Sequence, residues 1–383
     1  MKRIEKELIP VCFEEALSRA DGRACFFDES YIRKLQAKTD AFPNTVDAIV
    51  ESAKAAAADT EAARYAHFVS LAMEDRASFN EHLSLFAFPE DEHPMLALLC
   101  FLPHIDRLFD RLTALSLPSD VLRDTLRQFE DCIFLHEERF GRLGFAKRYF
   151  DHMQRYVDMR ILNIGRLRFE IYKVKDACVV ENRESGEQTL FVTGGEMNSS
   201  GLLVGTPPEK ADDVCFNAFF EETETEFVGT PADSRGRCVK EPLRLSKDGH
   251  FLRVPEGADC ISVHIPAKGA LTREACEESY ARAKKIFSEL YPERDFKAFR
   301  CHSWMMAPEL EGLLKPGSNL LEFQRPYIKY PVKTRGEDVL NFVFKLKFTS
   351  YADLPEDTSL QRALKQVYLS GGYLYEYNGL FTI

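Results

Sequence analysis

Two hydrophobic periods divide this chain. Up to about residue 162, apolar positions recur at helical spacing: Ala48, Ile49, Ala53, Ala56 and Ala57, then Phe68, Leu71 and Ala72. Residues 120–135 place Val121, Leu122, Leu126, Phe129, Ile133 and Phe134 on one stripe, with Pro118, Ser119 and Asp120 as the start signal. Pro43, Pro89, Pro94 and Pro118 cut the region into several helices. Near Ile164 the period falls to two. Leu167, Phe169 and Ile171 alternate with Arg168, Glu170 and Tyr172, as in a strand with one buried face. Further strands are expected at 177–182, 189–193, 201–205 and 214–227, with a hairpin turn at 184–187. The glycine-rich run 193–201 and the polar run 230–247 read as connections.

The last third carries the most specific pattern. A strand over 259–266 meets a glycine turn, the turn opens a helix over 272–287, and a short strand carries Phe299 to Trp304. Runs 319–324 and 339–348 look strand-like. Leu360, Leu364, Val367 and Tyr368 mark a helix stopped by Gly371 and Gly372, and 373–377 closes the chain as a strand. Strands interrupted by a few helices predict an α+β fold: an all-helical N-terminal domain, 1–162, then a mixed β-sheet domain with flanking helices, 163–383.

Composition narrows the function. The 383 residues are 45% hydrophobic and 29% charged, as in an ordinary globular protein. A formal net charge of -11 disfavours nucleic acid as a partner, because that needs a basic face. Ten cysteines are spread singly without a C-x-x-C pair, which predicts reduced thiols and a cytoplasmic protein. No H-E-x-x-H occurs, and no metal is expected. The first residues lack the apolar core of a signal peptide, and the greasiest run, 95–102, is too short to span a bilayer, so no membrane partner is expected.

The candidate chemistry lies at the strand–turn–helix. Alternation sends Ile261, Val263 and Ile265 to one face and Ser262 and His264 to the other. An imidazole one step from an anion-binding loop is suited to taking a proton from an amine; the alternative is a histidine satisfied inside the sheet. Thr272 can cap the helix, Gly269 lets a ligand approach the backbone, and Lys268 and Arg273 can pair with phosphate. Glu274, Glu277 and Glu278 crowd the same helix start and oppose an anion, so a plain capped helix is the competing reading. Cys301 and His302, adjacent on a strand, point to opposite faces and cannot form a dyad. Trp304 is either core or the wall of a substrate pocket.

The segments 166–170, 263–271, 276–279, 299–304, 318–325 and 354–364 with Gly371-Gly372 resemble a bacterial family of predicted acyltransferases. Its members pair a helical N-terminal domain with a GNAT-like C-terminal domain. The resemblance covers most of 163–383; the helical half matches in character. It implies a sheet that splays open between two neighbouring strands, with acyl-CoA in the gap. By that likeness the backbone of Val263 and Ile265 would meet the pantetheine arm. The N–H groups of Gly269, Ala270, Leu271, Thr272 and Arg273 would hold the pyrophosphate. His264 would be the base, and Ser303 and Asn319 would lie near the thioester or acceptor. The run from Pro266 to Leu271 departs from the general GNAT phosphate loop, and the usual tyrosine acid has only Tyr327 and Tyr330 as distant counterparts.

The expectation is an enzyme that moves an acyl group, acetyl first among candidates, from acyl-CoA to a small-molecule amine in a ternary complex. The alternatives are a non-catalytic ligand-sensing or interaction scaffold and a cysteine-dependent transferase using Cys301 or Cys260. Acceptor, acyl length and oligomeric state stay open.

Overall fold

The structure, a computed structural model, describes residues 9–206, 214–267, 269–334, 336–344 and 350–383. Lys268 and positions 345–348 of the expected strand 339–348 lie outside the described residues. The chain forms two compact units that divide between Ile164 and Gly165.

The first unit is built from α1 (Glu14–Arg19), α2 (Glu29–Thr39), α3 (Val46–Ala58), α4 (Thr60–Ala72), α5 (Arg76–Glu81), α6 (Leu96–Leu99), α7 (Leu102–Ala114), α8 (Ser119–Phe140) and α9 (Lys147–Val157). It ends in β1 (Ile161–Ile164). The expected α8 stripe is buried at Val121, Leu126, Phe129 and Ile133. One carboxylate on the same helix faces inward: Glu130 accepts the Asn44 N–H at 2.8 Å, the Asn44 amide at 3.1 Å and the Thr45 hydroxyl at 3.0 Å. The turn that enters α3 is thereby tied to α8, and the buried charge is fully hydrogen-bonded. Among the described residues no helix is long and apolar enough to cross a membrane.

The second unit holds β2 (Leu167–Lys173), β3 (Ala177–Asn182), β4 (Gln188–Val192), β5 (Glu196–Met197), β6 (Phe216–Asn217), β7 (Phe220–Glu222), β8 (Glu226–Pro231), β9 (Leu243–Ser246), β10 (His250–Val254), β11 (Asp259–His264), α10 (Arg273–Leu290), β12 (Ala298–Ser303), α11 (Asn319–Gln324), β13 (Ile328–Pro331), α12 (Ser359–Leu369) and β14 (Tyr377–Thr382). One sheet runs β2–β11–β12–β14–β13, and a second runs β10–β3–β4–β8–β7 with β9 on β8. Among the described residues only β11 and β12 are parallel within the first sheet, and α10 is their crossover. On one face of that sheet Cys260, Ala298, Tyr330 and Leu380 share a core with Val179, Leu190, Val192 and Val254 of the second. On the other face α10 packs Tyr280 against Phe169, Phe299 and Phe381, with ring centroids 6.2, 4.8 and 5.5 Å away.

Several expected elements differ. The run 319–324 is a helix, α11, entered through Ser318; six residues are too few for the two periods to be told apart. Positions 340–344 form one π-helical turn. The expected strand 201–205 is a turn, with Gly201 and Gly205 at φ 73° and 85° and a single bridge from Leu203 to Met197. The run 214–227 breaks into β6 and β7, and the last strand begins at Tyr377. β9 and β10 fall in or beside the polar connector, where mostly exposed or half-buried positions carry no clear alternation.

Gly379 shows how tightly the open-faced layer is packed. It pairs with Cys301 on one side and Lys329 on the other. A Cβ there would stand 2.9 Å from Tyr327 and 3.1 Å from the Met306 sulfur. Gly379→Ala is expected to destabilise the second unit by about 1–3 kcal/mol through overpacking. A lowered denaturation midpoint with an unchanged slope checks this; an unchanged midpoint contradicts it.

Candidate functional site

The ladder between β11 and β12 is short. Cys260 pairs with Ala298, Ile261 with Phe299 and Ser262 with Arg300, and the pairing ends there. Both strands continue. β11 stays on β2 as far as His264 opposite Arg168, and β12 stays on β14 as far as Ser303 opposite Tyr377. Past Ser262 and Arg300 each strand therefore keeps its outer partner and loses its inner one. The sheet opens at the carboxyl ends of its two parallel strands, and the backbone lining the opening has no ladder partner.

The loop beyond this opening is organised by one side chain. Arg166 donates to the carbonyl oxygens of Pro266 at 3.0 Å, Gly269 at 2.9 Å and Ala270 at 3.0 Å. Because a trans peptide sets C=O and N–H antiparallel, the amides of Ala267, Ala270 and Leu271 point away from that guanidinium. Gly269, at φ 88°, supplies the turn an ordinary residue resists. Arg166 is itself held. Its own N–H donates to the Ser279 hydroxyl at 2.8 Å, and that hydroxyl donates to the Ala275 carbonyl at 2.7 Å. Gly165, at φ 61°, leaves room for this contact, since a Cβ there would lie 2.7 Å from the hydroxyl oxygen.

The loop runs into the start of α10. Thr272 caps the helix by accepting from the Ala275 N–H at 3.3 Å. Among the described residues the amides of Ala267, Ala270, Leu271, Arg273 and Glu274 donate to no protein acceptor. Of the glutamates expected to crowd this end, Glu277 takes Arg273 at 2.6 Å and Glu278 lies 3.8 Å from Arg282, while Glu274 stays in the first turn. The result is a concentration of outward amides at the positive end of a helix dipole, an arrangement that binds anions.

One face of the opening is polar. The registers put Glu170, Ser262 and Arg300 in one row, and Arg168, His264, His302 and Asn378 in the next. His264 Nε2 lies 3.1 Å from Glu170 Oε2, and the Glu170 side chain is almost wholly buried while that of His264 is about one-third exposed. Arg300 donates to Asn378 at 2.7 Å and lies over the Tyr172 ring at 4.6 Å. Across the opening, the His302 ring reaches solvent, yet the protein atoms crowded round it, then Arg300, then His264 hold its pKa down at about 4. His302 is therefore neutral at neutral pH. A carboxylate partner gives a neutral His264 its proton on Nε2 and leaves the Nδ1 lone pair free.

The other expected residues are placed elsewhere. Val263 turns its side chain to the α10 face, and Ile265 follows the end of β11. Ser303 lies on that same α10 face, opposite to His264, where its hydroxyl accepts the Met305 N–H at 3.0 Å. Asn319 is exposed as the first residue of α11. Trp304 is buried in the short helix that follows β12. Cys301 and Cys260 are buried thiols whose pKa burial pushes up to about 12, so neither is a thiolate near neutrality. Tyr327, fully enclosed, shares a 2.7 Å hydroxyl contact with Tyr280. Arg166, Ser279 and Glu170 lie in segments that carry the family resemblance but received no role there; the pairing of β2 with β11 brings Glu170 to the histidine, and the packing of α10 brings Ser279 to the Arg166 backbone.

A mixed sheet opened between parallel strands, beside an amide-rich loop at a helix start, defines the class as a GNAT-like protein with a helical first part. The model of the GNAT-like C-terminal domain family matches residues 161–381, more than half of the chain, and the chain belongs to that family. Similar solved structures include an acyltransferase in complex with decanoyl-CoA and teicoplanin, at 17% identity and TM-score 0.59 over 91% of this chain and 87% of that one. Another is an acyltransferase mutant in complex with octanoyl-CoA, at 16% identity and TM-score 0.60 over 92% of this chain and 88% of that one. Both cover nearly all of this chain, so the shared fold includes the helical part. No curated protein matches the chain.

The Glu170–His264 contact is directly checkable. Nitrogen-15 NMR of the histidine rings is expected to show neutral His264 as the Nε2-protonated tautomer, and Glu170→Leu is expected to give a mixture of tautomers. A mixture already present in the parent protein contradicts the assignment.

Proposed function

We propose that this protein is an acyl-CoA-dependent N-acyltransferase that works by direct transfer to a small-molecule amine. The observation that carries the reading is the end of the β11–β12 ladder at Ser262 and Arg300, next to a loop three of whose carbonyls are drawn to Arg166. A pantetheine arm is a slim amide-bearing chain, and its natural berth is an unpaired strand edge. The backbone of Val263 and Ile265 offers that edge. The amides of Gly269, Ala270, Leu271, Thr272 and Arg273 lie in reach of the diphosphate, with the Arg273 guanidinium beside them. The solved neighbours named with decanoyl-CoA and octanoyl-CoA support an acyl-CoA donor and bring acyl chains longer than acetyl into the test.

In the proposed reaction the amine nitrogen attacks the thioester carbonyl carbon. A C–N bond forms, the C–S bond breaks, and the amine proton passes to His264, directly or through one water, and finally to the CoA sulfur. Glu170 holds His264 in the tautomer that can accept it. His302, neutral and across the opening, adds no positive charge to repel a cationic amine. Ser303, at the end of β12, and Trp304, in the short helix that follows it, wall the acyl chain; Asn319 stands at the rim. Backbone groups left unpaired at the opening polarise the carbonyl. Holding both reactants in one opening supplies much of the rate. The protonated, buried state of Cys301 and Cys260 argues against a covalent cysteine route.

Thermal unfolding with acetyl-, octanoyl- and decanoyl-CoA tests donor binding. A melting temperature that rises with ligand concentration is expected, and no rise at millimolar concentration contradicts the reading. Arg166→Ala is expected to weaken CoA binding about tenfold by releasing the loop carbonyls. His264→Ala is expected to leave CoA affinity unchanged and to lower amine-dependent thiol release by about 10²-fold or more. Retained turnover in that variant removes His264 from the base role.

A further inference from the structure

A second polar cluster stands just outside the opened end of the sheet. β14 enters at Tyr377, opposite Ser303 of β12 and Pro331 of β13. The residues immediately before it, Tyr373 to Glu376, therefore lie at the same end as the gap. Glu376 is 6% exposed, and its Oε1 accepts the N–H of Asp338, whose own side chain reaches solvent. Tyr368, an electrostatic neighbour of Glu376, belongs to a set of four phenol rings. Tyr351 and Tyr368 stack with centroids 5.0 Å apart, Tyr368 meets Tyr373 edge-on at 6.3 Å and 83°, and Tyr373 lies parallel to Tyr375 at 6.2 Å.

The hydroxyl of Tyr368 is the telling atom. Its residue is 3% exposed, and among the described residues the buried oxygen has no hydrogen-bond partner. Glu376, Tyr351, Tyr373 and Tyr375 are its electrostatic neighbours. An orphaned hydroxyl in a native protein calls for an explanation. Here it lies near a buried acid and among other phenol rings. Burial, added to by the charge of Asp338 and partly offset by the Asp338 N–H, raises the carboxyl pKa of Glu376 above its ordinary value. Among the described residues no lysine or arginine forms an ion pair with Glu376. Among the described residues no group of three or more histidine, cysteine, aspartate or glutamate side chains could hold a metal ion. Two carboxyls set among π faces suit an organic ammonium, which offers N–H donors to the acid and the phenol oxygen and its positive charge to the rings.

We propose that Glu376, Asp338 and the tyrosines 351, 368, 373 and 375 form the recognition site for the ammonium form of the acceptor, next to the opening where it reacts. The placement rests on the acyl-transfer reading above. Asp338 at the exposed edge draws the cation in, and Glu376 with Tyr368 holds it. The ammonium then releases one proton to solvent, and the neutral amine moves to the opening, where its second proton follows the route through His264 to the CoA sulfur.

The test is calorimetric titration of the full chain with phenethylammonium chloride, run beside its neutral analogue 3-phenylpropan-1-ol. The ammonium is expected to bind at millimolar concentration or below, and the alcohol about tenfold more weakly. Glu376→Gln is expected to weaken the ammonium about tenfold and Tyr368→Phe about threefold. Equal affinity for ammonium and alcohol, equal affinity of parent and variants, or no binding at about 20 mM probe overturns the proposal. If Glu376→Gln fails to fold, Tyr368→Phe, which removes one unpaired oxygen from a packed ring, decides. Decanoyl-CoA is titrated into the same samples. Its binding without ammonium binding overturns this site alone; ammonium binding without decanoyl-CoA binding overturns the transfer reading and leaves the cation site.

Discussion

A single guanidinium sets the polarity of the candidate site. Arg166 gathers three carbonyl oxygens from one short loop, and peptide planarity then turns the companion amides outward. Without that fork the loop between β11 and α10 would be free to present carbonyls, which repel phosphate. With it, the loop and the first turn of α10 act together as one concentration of positive partial charge. The fork depends in turn on Ser279, which fixes the Arg166 backbone from the side of α10, and on the absence of a side chain at Gly165. Helix, loop and strand β2 are thus locked by a few short contacts around a charge that lies on none of the elements it orders.

The opening in the sheet and the polar face beside it follow from a second constraint. β11 and β12 are each held by an antiparallel neighbour to their ends, so each can leave the other without unravelling. Their outer partners carry the hydrogen bonds that the inner edge gives up. The rows that cross the opening then combine groups of different character: a buried carboxylate at Glu170, a half-exposed imidazole at His264 and a neutral imidazole at His302. The 3.1 Å contact with the buried Glu170 side chain positions the His264 ring. The α10 face of the same strands is apolar and filled with aromatic rings, so the two sides of the opening differ in chemistry as a donor and an acceptor site would require.

Much of this was legible in the chain. The change of period near Ile164, the strand–loop–helix–strand run from Asp259 to Ser303 and the capping role of Thr272 all appear where local pattern puts them. The family expected from short segments is the family found. Elements without local signal were the ones misjudged. Asn319 to Gln324 alternates well enough for a strand and is a helix; β9 and β10 have polar positions on both sides and are strands because they find partners.

The residues themselves determined periodicity, element type over long segments, the alternation that puts His264 and Val263 on opposite faces, and the positions of loops that only glycine accommodates. These are short-range properties, set by sterics and hydrogen bonding within a few residues. The tertiary structure alone decided which strands part, that Glu170 meets His264 from 94 residues away, and that Arg166 reaches a loop about a hundred residues further on. It also set Ser303 behind the sheet from His264 and brought four tyrosines together, with Glu376 an electrostatic neighbour of Tyr368. Such contacts depend on strand order and register, and one sequence carries no direct record of either, because a shift of one residue or one neighbour leaves every local pattern intact while changing every cross-strand pair.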